Sequence, residues 1–203
     1  MSRFFLLSPA HCGGERARLL FDPRARFDLA RRLRAGPEPT LGEIFSFLSG
    51  LYFRGKLTYA RAFAAPPPGL SGVLVITASD GLCLADEPVD LARLRRFAET
   101  DIRRGEARYE APLLRDARRL AGSIAPTDEV ILLGSVATGK YVDPLLGALG
   151  ACLAFPAAFV GRGDMSRGGL LLRSAAAGTE LDYVPVGGSA RRGARPPRLA
   201  RLR

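Results

Sequence analysis

The sequence predicts a single-domain α/β protein with a mostly parallel, Rossmann-like sheet, flanking helices and a C-terminal antiparallel β-hairpin. Short apolar runs at residues 73–77 and 130–133 are typical of strands covered on both faces. Segments with helical spacing of apolar residues lie between these runs, and that alternation favours parallel strands joined by right-handed crossovers. A chain of 203 residues with 47% hydrophobic residues matches one ordinary domain, which we place at residues 1–190.

The first half of the chain contains two of the predicted strands. The apolar run at residues 3–8 stops at Pro9 and predicts a short buried strand. Helical spacing follows over residues 15–34, with an interruption near Pro23. Thr40 and Glu43 form a capping-box pattern, so a helix is expected to begin near residue 41 and a second helical run to follow it. The second strand is the run at residues 73–77.

The second half continues the alternation. Residues 90–104 and 112–122 predict helices, residues 130–133 a third strand and residues 141–149 a short helix. Residues 151–155 predict a fourth strand, and residues 156–169 a long glycine-rich loop. The hairpin is expected from strands at residues 170–173 and 180–186 around Gly178.

Composition restricts the function classes. No apolar run approaches the roughly 20 residues that a membrane helix needs, and no secretory signal pattern is found, so we expect a cytoplasmic protein with no membrane contact. Three scattered cysteines and one histidine lack zinc-site spacing, and we expect neither a bound metal nor a cofactor. His11 and Cys12 are adjacent in the chain, and adjacent residues rarely form a nucleophile–base pair.

Positive charge is concentrated in the tail. The formal net charge is +10, and residues 191–203 contain six arginines and no acidic residue. Such a tail binds phosphate backbones without reading sequence, or is simply a solvated, flexible terminus. Only two of the 30 basic residues are lysines, Lys56 and Lys140, and each follows a glycine. Lysine provides a compact point charge with a tunable pKa, which arginine does not, so both lysines are candidate functional residues.

Ligands of parallel α/β sheets bind beyond the carboxyl ends of the strands. Four loops are therefore candidates: residues 8–15, 78–82, 134–141 and 156–169. Ser8 begins the first of them and is a candidate ligand-binding residue. Asp80, in the second, is a candidate catalytic carboxylate, although Ser79 and Asp80 could equally cap the next turn.

The third loop has the glycine and lysine spacing of a P-loop. Its candidate phosphate-binding residues are Gly134, Ser135, Thr138, Gly139 and Lys140. Tyr141 occupies the position where a P-loop has a magnesium-binding Ser or Thr, so a loop that holds an anion at a helix N-terminus without magnesium is the better interpretation. A plain strand-to-helix turn is the alternative.

The fourth loop packs charged residues among glycines. Arg162 and Arg167 could clamp a phosphate or carboxylate, and Asp164 could act as a general acid or base or orient an arginine. A solvated loop with an internal Asp–Arg pair is the alternative. Near the second helix, Arg54 and Lys56 alternate with aromatic residues in a pattern that suits base stacking and phosphate contact, although the aromatic residues could instead belong to the core.

Three features carry a resemblance to a known group. They are the strand that ends at Ser8, the segment 75–82 with Tyr109 and Pro112 downstream, and the strand before Gly134 followed by Phe155–Pro156 and the 161–169 loop. Their order resembles small α/β domains of modified-base metabolism, such as the archaeosine-synthase-associated domain and nucleotide- or base-deglycosylase-like proteins. The resemblance implies base or nucleotide handling, including N-glycosidic cleavage. The Cys12–Gly13–Gly14 sequence departs from the lysine-containing turn of those families.

Three functional hypotheses follow. The first is a hydrolase or transferase acting on a nucleotide or nucleic-acid base, with Asp164 or Asp80 as the catalytic carboxylate and the lysine and arginine residues as the ligand clamp. The second is a non-catalytic module that binds DNA or RNA through the tail and the residues near Arg54. The third is a nucleoside-triphosphate-dependent enzyme that uses the P-loop-like turn.

Overall fold

The computed structural model describes residues 1–197 and Leu199, and it is an α/β fold with a six-stranded mixed sheet. The strands are β1 (Arg3–Leu7), β2 (Val73–Ile76), β3 (Leu82–Leu84), β4 (Glu129–Leu133), β5 (Leu153–Pro156) and β6 (Tyr183–Pro185). The helices are α1 (Glu15–Phe21), α2 (Asp28–Ala35), α3 (Leu41–Ser49), α4 (Leu51–Phe63), α5 (Leu91–Ala98), α6 (Ala107–Ala121), α7 (Gly139–Leu149) and α8 (Asp164–Ala177).

The sheet is parallel at its centre and antiparallel at both edges. Its strand order is β3-β2-β1-β4-β5-β6. The pairs of β1 with β2, β1 with β4 and β4 with β5 are parallel, whereas β3 and β6 run antiparallel to their neighbours. The predicted mostly parallel sheet is therefore confirmed at this level.

The four central strands form because their sequences are almost entirely apolar. All four of the residues 4–7 and all four of the residues 130–133 are fully buried, as expected for strands covered on both faces. Phe5 pairs with Val73 on one side and with Ile131 on the other, which places β1 at the middle of the sheet.

The helices form two packed groups. α4 packs against β1 and β2 and along the whole of α8, whereas α6 and α7 pack against each other and contact β3 and β5 respectively. The predicted capping box at α3 is present, since the Thr40 hydroxyl accepts a hydrogen bond from the Glu43 amide and the Glu43 carboxylate accepts one from the Thr40 amide.

The predicted C-terminal hairpin is wrong. Residues 170–173 lie inside α8, and Gly178, expected at the hairpin turn, is the left-handed residue that ends this helix, with a φ of 61°. β6 pairs with β5, which precedes α8 in the chain. The expected long loop at residues 156–169 is also shorter, because residues 157–159 form a 3-10 turn and α8 begins at Asp164.

The described part of the basic tail follows the protein surface. The Arg192 guanidinium donates to the Ala137 carbonyl, and the Arg162 guanidinium donates to the Pro197 carbonyl. Arg198, Arg201 and Arg203 lie outside the described residues, so the prediction of a flexible tail at residues 191–203 stays a prediction.

Candidate functional site

The loops after β1 and β4 leave the sheet on either side of its topological switch point. From β1 the chain goes to β2 on one side, and it later returns to β4 on the other side. The two diverging loops and Ala78, which follows β2, enclose a cleft of about 460 Å³. We call it the switch-point cleft, and its polar lining residues are Ser8, His11, Ser49, Tyr52, Thr100, Asp101, Ser135, Lys140, Tyr141 and Asp164. Its volume suits a ligand of nucleotide size.

Ser8 stands at the point where β1 ends. Its amide donates to the Leu133 carbonyl over 3.0 Å, which fixes it beside the end of β4. Pro9 has no amide hydrogen and ends the ladder here. A Cβ on Gly134 would lie 2.9 Å from the Ser8 Cβ, so this position needs a glycine for the two loops to touch.

Lys56 lies beneath Ser8 and is only 1% exposed. Its ammonium donates to the Ser8 carbonyl and, over 2.8 Å, to the Ser8 hydroxyl. It also lies 4.5 Å from the Tyr52 ring centroid and 5.0 Å from that of Phe53. Burial lowers the pKa of Lys56 to about 7, because transfer from water disfavours the charged form.

Lys140 lies in the first turn of α7. Its side chain lines the cleft, and its ammonium lies 5.0 Å from the Tyr141 ring centroid. Within residues 1–197 and 199, no carboxylate forms an ion pair with it, and no hydrogen bond uses the amides of residues 135–138 as donors. A positive side chain in the first turn of a helix, lining a cleft, is an arrangement that attracts an anion.

Other residues of the P-loop-like turn have smaller roles in the cleft. Ser135 lines it, whereas Thr138 is the exposed N-cap of α7 and makes no side-chain capping bond. Gly139 is the first helical residue, and a Cβ there would collide with the Asp143 carboxylate at 2.3 Å. Tyr141 is buried, so its phenol does not supply the magnesium ligand that a P-loop needs.

Tyr52 presents a buried polar atom to the cleft. Its side chain is 6% exposed, and its hydroxyl has no hydrogen-bond partner among the described residues. Burial raises the pKa of this phenol, so it stays protonated and is available as a donor. A buried hydroxyl without a partner costs free energy, which a ligand hydrogen bond would recover.

Asp164 brings a carboxylate to the cleft, but the two arginines of its segment do not join it. Asp164 is the first residue of α8, and its side chain is 68% exposed. Arg167 is buried, donates to the Phe159 carbonyl and lies 3.5 Å from the Asp164 carboxylate. Arg162 donates to the Ser166 hydroxyl and lines a separate depression beside the tail. The expected arginine clamp is therefore not formed, and Arg167 instead positions Asp164.

Asp80 lies outside the cleft. Its carboxylate forms a 2.8 Å ion pair with Arg93 and accepts a hydrogen bond from the Ser79 hydroxyl. It faces a different surface depression, which also contains Glu87 and Asp116. Only Ala78 of the 78–82 loop reaches the cleft, so we do not assign a catalytic role to Asp80.

The segment around Arg54 does not present aromatic rings to a ligand. Phe53 and Tyr59 are fully buried, and Tyr52 is nearly so. Arg54 is exposed but lies in a shallow depression on the outer side of α4. Base stacking on these rings is therefore wrong, and the alternative interpretation, that they belong to the core, is confirmed.

Cys12 is not a reactive nucleophile. It is buried, and burial raises the pKa of its thiol to about 12, which leaves almost no thiolate at neutral pH. The adjacent His11 is exposed and packs its ring against Gly13 and Gly14. The structure gives no support to a catalytic pair at these positions.

Several cleft residues carried no recognisable signal in the sequence. Tyr52 belonged to an apolar stripe, and Thr100 and Asp101 follow α5 in an unremarkable polar segment. The contact between Ser8 and Lys56 spans 48 positions and depends on the packing of α4 under β1. The scarcity of lysine pointed to Lys56 and the strand-end rule to Ser8, but nothing in the sequence indicated that the two are in contact.

No protein-family model, curated protein or solved structure matches this chain. Within residues 1–197 and 199, no helix is long and apolar enough to cross a membrane. The same part of the chain contains no cluster of three or more His, Cys, Asp or Glu side chains arranged to hold a metal ion.

Proposed function

We propose that this chain is an enzyme that acts on a nucleotide or a nucleic-acid base, by hydrolysis or transfer at an N-glycosidic bond. The observation that carries the proposal is that Ser8, Lys140 and Asp164, from distant parts of the chain, line one cleft at the switch point of the sheet. Rossmann-like sheets bind nucleotides at this position, and the strand order supports a Rossmann-like interpretation, although β3 and β6 are antiparallel.

Lys140 and the start of α7 bind the phosphate in this proposal. The lysine supplies a positive charge, and the Ser135 amide, which has no acceptor within the described chain, supplies a donor beside the cleft. Ser135 adds a hydroxyl on the same side. The proposal involves no magnesium ion, because Tyr141 occupies the position where a P-loop has the magnesium-binding Ser or Thr.

Asp164 acts on the bond that breaks. Its exposed carboxylate lies 3.5 Å from the guanidinium of Arg167, which is itself anchored on the Phe159 carbonyl. A carboxylate in this position can take a proton from water and can stabilise the positive charge that develops on the sugar.

The first test measures phosphate recognition. We expect adenosine 5′-monophosphate to bind more tightly than adenosine in magnesium-free titration calorimetry. The substitution Lys140→Gln should weaken monophosphate binding about tenfold, equivalent to about 1.4 kcal/mol, because one charge-assisted contact is lost. Arg24→Gln removes an exposed charge outside the cleft and serves as the matched control. Equal binding of nucleoside and monophosphate by the wild-type chain would contradict the phosphate assignment.

The second test measures bond cleavage. Release of free base from nucleoside monophosphates and from short oligonucleotides is followed by chromatography. Asp164→Asn should retain the fold and monophosphate binding but reduce base release by about 100-fold or more, as loss of a general base does. Asp86→Asn, at an exposed carboxylate outside the cleft, is the control. If Asp164→Asn releases base at the wild-type rate, or if the wild-type chain cleaves none of these substrates, the reaction is wrong.

A further inference from the structure

A serine and a lysine are in direct contact at the floor of the switch-point cleft. The Lys56 Nζ and the Ser8 Oγ are 2.8 Å apart, and Ser8 lines the cleft while Lys56 lies behind it. Ser8 itself is 4% exposed, so a ligand approaches its hydroxyl from the cleft that it lines. The pair has the geometry of a nucleophile and its base.

The surroundings of Lys56 do not neutralise a charged ammonium. Within residues 1–197 and 199 it forms no ion pair, and the charged groups that influence it are both on α8: Asp164, which favours its charge, and Arg167, which opposes it. Two uncharged groups also contact the Lys56 ammonium: the ring of Tyr52, which is on the same helix α4, and the hydroxyl of Ser8, which follows β1. Burial is the strongest influence and lowers its pKa to about 7, so a large fraction of the amine is neutral at physiological pH.

The choice of lysine at this position also needs a reason. Twenty-eight of the 30 basic residues are arginine, and an arginine remains charged at any pH that proteins experience. If this residue only anchored the end of β1 by hydrogen bonds, any hydrogen-bond donor would serve, arginine included. Of the two residue types, lysine is the one whose charged group can release its proton when buried.

We propose that Ser8 is a nucleophile and Lys56 its general base, and that the cleft accepts a carboxylic ester whose acyl group is transferred to Ser8. This activity goes beyond the proposed function, in which Asp164 acts on an N-glycosidic bond. Serine–lysine pairs are one of the recurrent solutions for acyl transfer. Ser135 lines the same cleft, and its amide, which has no acceptor among the described residues, is the candidate oxyanion donor.

The chemistry balances with groups that the cleft contains. The Ser8 Oγ attacks the ester carbonyl carbon, and its proton moves to the neutral Lys56 Nζ. The bond from carbon to the alcohol oxygen breaks, and the leaving alcohol takes the proton from the Lys56 ammonium. Water then attacks the acyl-Ser8 ester, again with Lys56 accepting and returning a proton, and the products are one acid and one alcohol with Ser8 restored.

A fluorophosphonate probe tests the nucleophile without knowledge of the natural substrate. The serine Oγ displaces fluoride from phosphorus and forms a stable adduct. Cleavage by trypsin after Arg3 and Arg16 yields a peptide, residues 4–16, in which Ser8 is the sole serine. We expect mass spectrometry to find the adduct on Ser8, and a chain with no adduct there would overturn the proposal.

Two variants and one control establish the role of the pair. Ser8→Ala should abolish the adduct, and Lys56→Gln, which keeps a neutral donor but cannot accept the proton, should slow labelling by about 100-fold or more. Ser71→Ala removes an exposed serine that lies outside the cleft and should label at the wild-type rate. Labelling that is unchanged in a folded Lys56→Gln chain would overturn the role of Lys56.

The pH dependence of wild-type labelling gives an answer even if Lys56→Gln does not fold. The labelling rate should rise through an apparent pKa near 7 and then level off, because only the neutral amine accepts the proton. A rate that is flat between pH 6 and about 9, or that follows hydroxide concentration throughout, would overturn the proposal. If Ser8 is labelled but the chain does not bind adenosine 5′-monophosphate, the proposed function is rejected and the role of Ser8 stands. If the chain binds the monophosphate but Ser8 is not labelled, the role of Ser8 as a nucleophile is rejected and the proposed function stands.

Discussion

Lys56 is a buried basic residue whose protonation should affect the stability of the fold. Among residues 1–197 and 199, the contacts of its ammonium are with Ser8 and with the faces of two aromatic rings. A buried charge without a counter-ion is expensive, so the folded state favours the neutral amine. The free energy of unfolding should therefore depend on pH through this one residue.

The stability of the protein should rise with pH because of Lys56. Its pKa is about 7 in the folded chain against 10.5 in the unfolded chain. Between these values the unfolded chain binds a proton that the folded chain does not, and stability then increases with pH. We expect a contribution of about 1 kcal/mol per pH unit between pH 8 and about 9, which should vanish in Lys56→Met.

The measurement is the difference between the urea unfolding free energies of the wild-type chain and of Lys56→Met, taken at several pH values below about 9. The difference is used because Cys12, whose pKa is raised to about 12, destabilises both chains once its unfolded form ionises. Parallel curves for the two chains would show that Lys56 keeps an ordinary pKa in the folded state.

Among the secondary-structure elements, the central strands could be predicted from the sequence, and the edge strand β3 could not. β1, β2 and β4 are short, continuous apolar runs between polar segments, and this pattern is read without knowledge of the fold. β3 has only three residues and shows no such pattern. Its strand character comes from pairing with β2, which is a tertiary contact.

α8 shows how packing overrides local preference. Gly168 and Gly169 disfavour a helix, and the apolar run that follows them favours a strand, so the sequence predicted a hairpin. In the structure Gly168 allows α8 to pack closely against α4 at Leu51 and Tyr52. The burial gained between the two helices outweighs the propensity of a few residues.

For the molecule as a whole, the sequence predicts the position of the cleft, but it predicts only some of the side chains that line it. The rule that ligands bind beyond the carboxyl ends of parallel strands identified the loops that contain Ser8 and Lys140. The same rule also identified Asp80 and Arg162. In the structure Asp80 instead pairs with Arg93, and Arg162 instead donates to Ser166. Such pairings depend on which side chains the fold brings together, and spacing in the sequence does not encode them.

The cleft depends on one close contact between distant parts of the chain. A Cβ on Gly168 would lie 2.8 Å from the Leu51 carbonyl oxygen and 2.8 Å from the Tyr52 Cα. These are backbone atoms, which cannot move aside without separating α8 from α4. The contact therefore sets the distance between Asp164 on α8 and Lys56 on α4.

Gly168→Ala should destabilise the protein and disturb the cleft together. We expect a loss of about 1–3 kcal/mol in the free energy of unfolding, as for other overpacked positions, and slower fluorophosphonate labelling of Ser8. Gly169→Ala is the matched control, because its Cβ would meet only Leu199 at 3.5 Å and should raise stability by about 0.5–1 kcal/mol through helix propensity. Urea unfolding and labelling rates of the two variants provide the comparison. Equal stability of both variants would mean that α4 and α8 do not pack through Gly168.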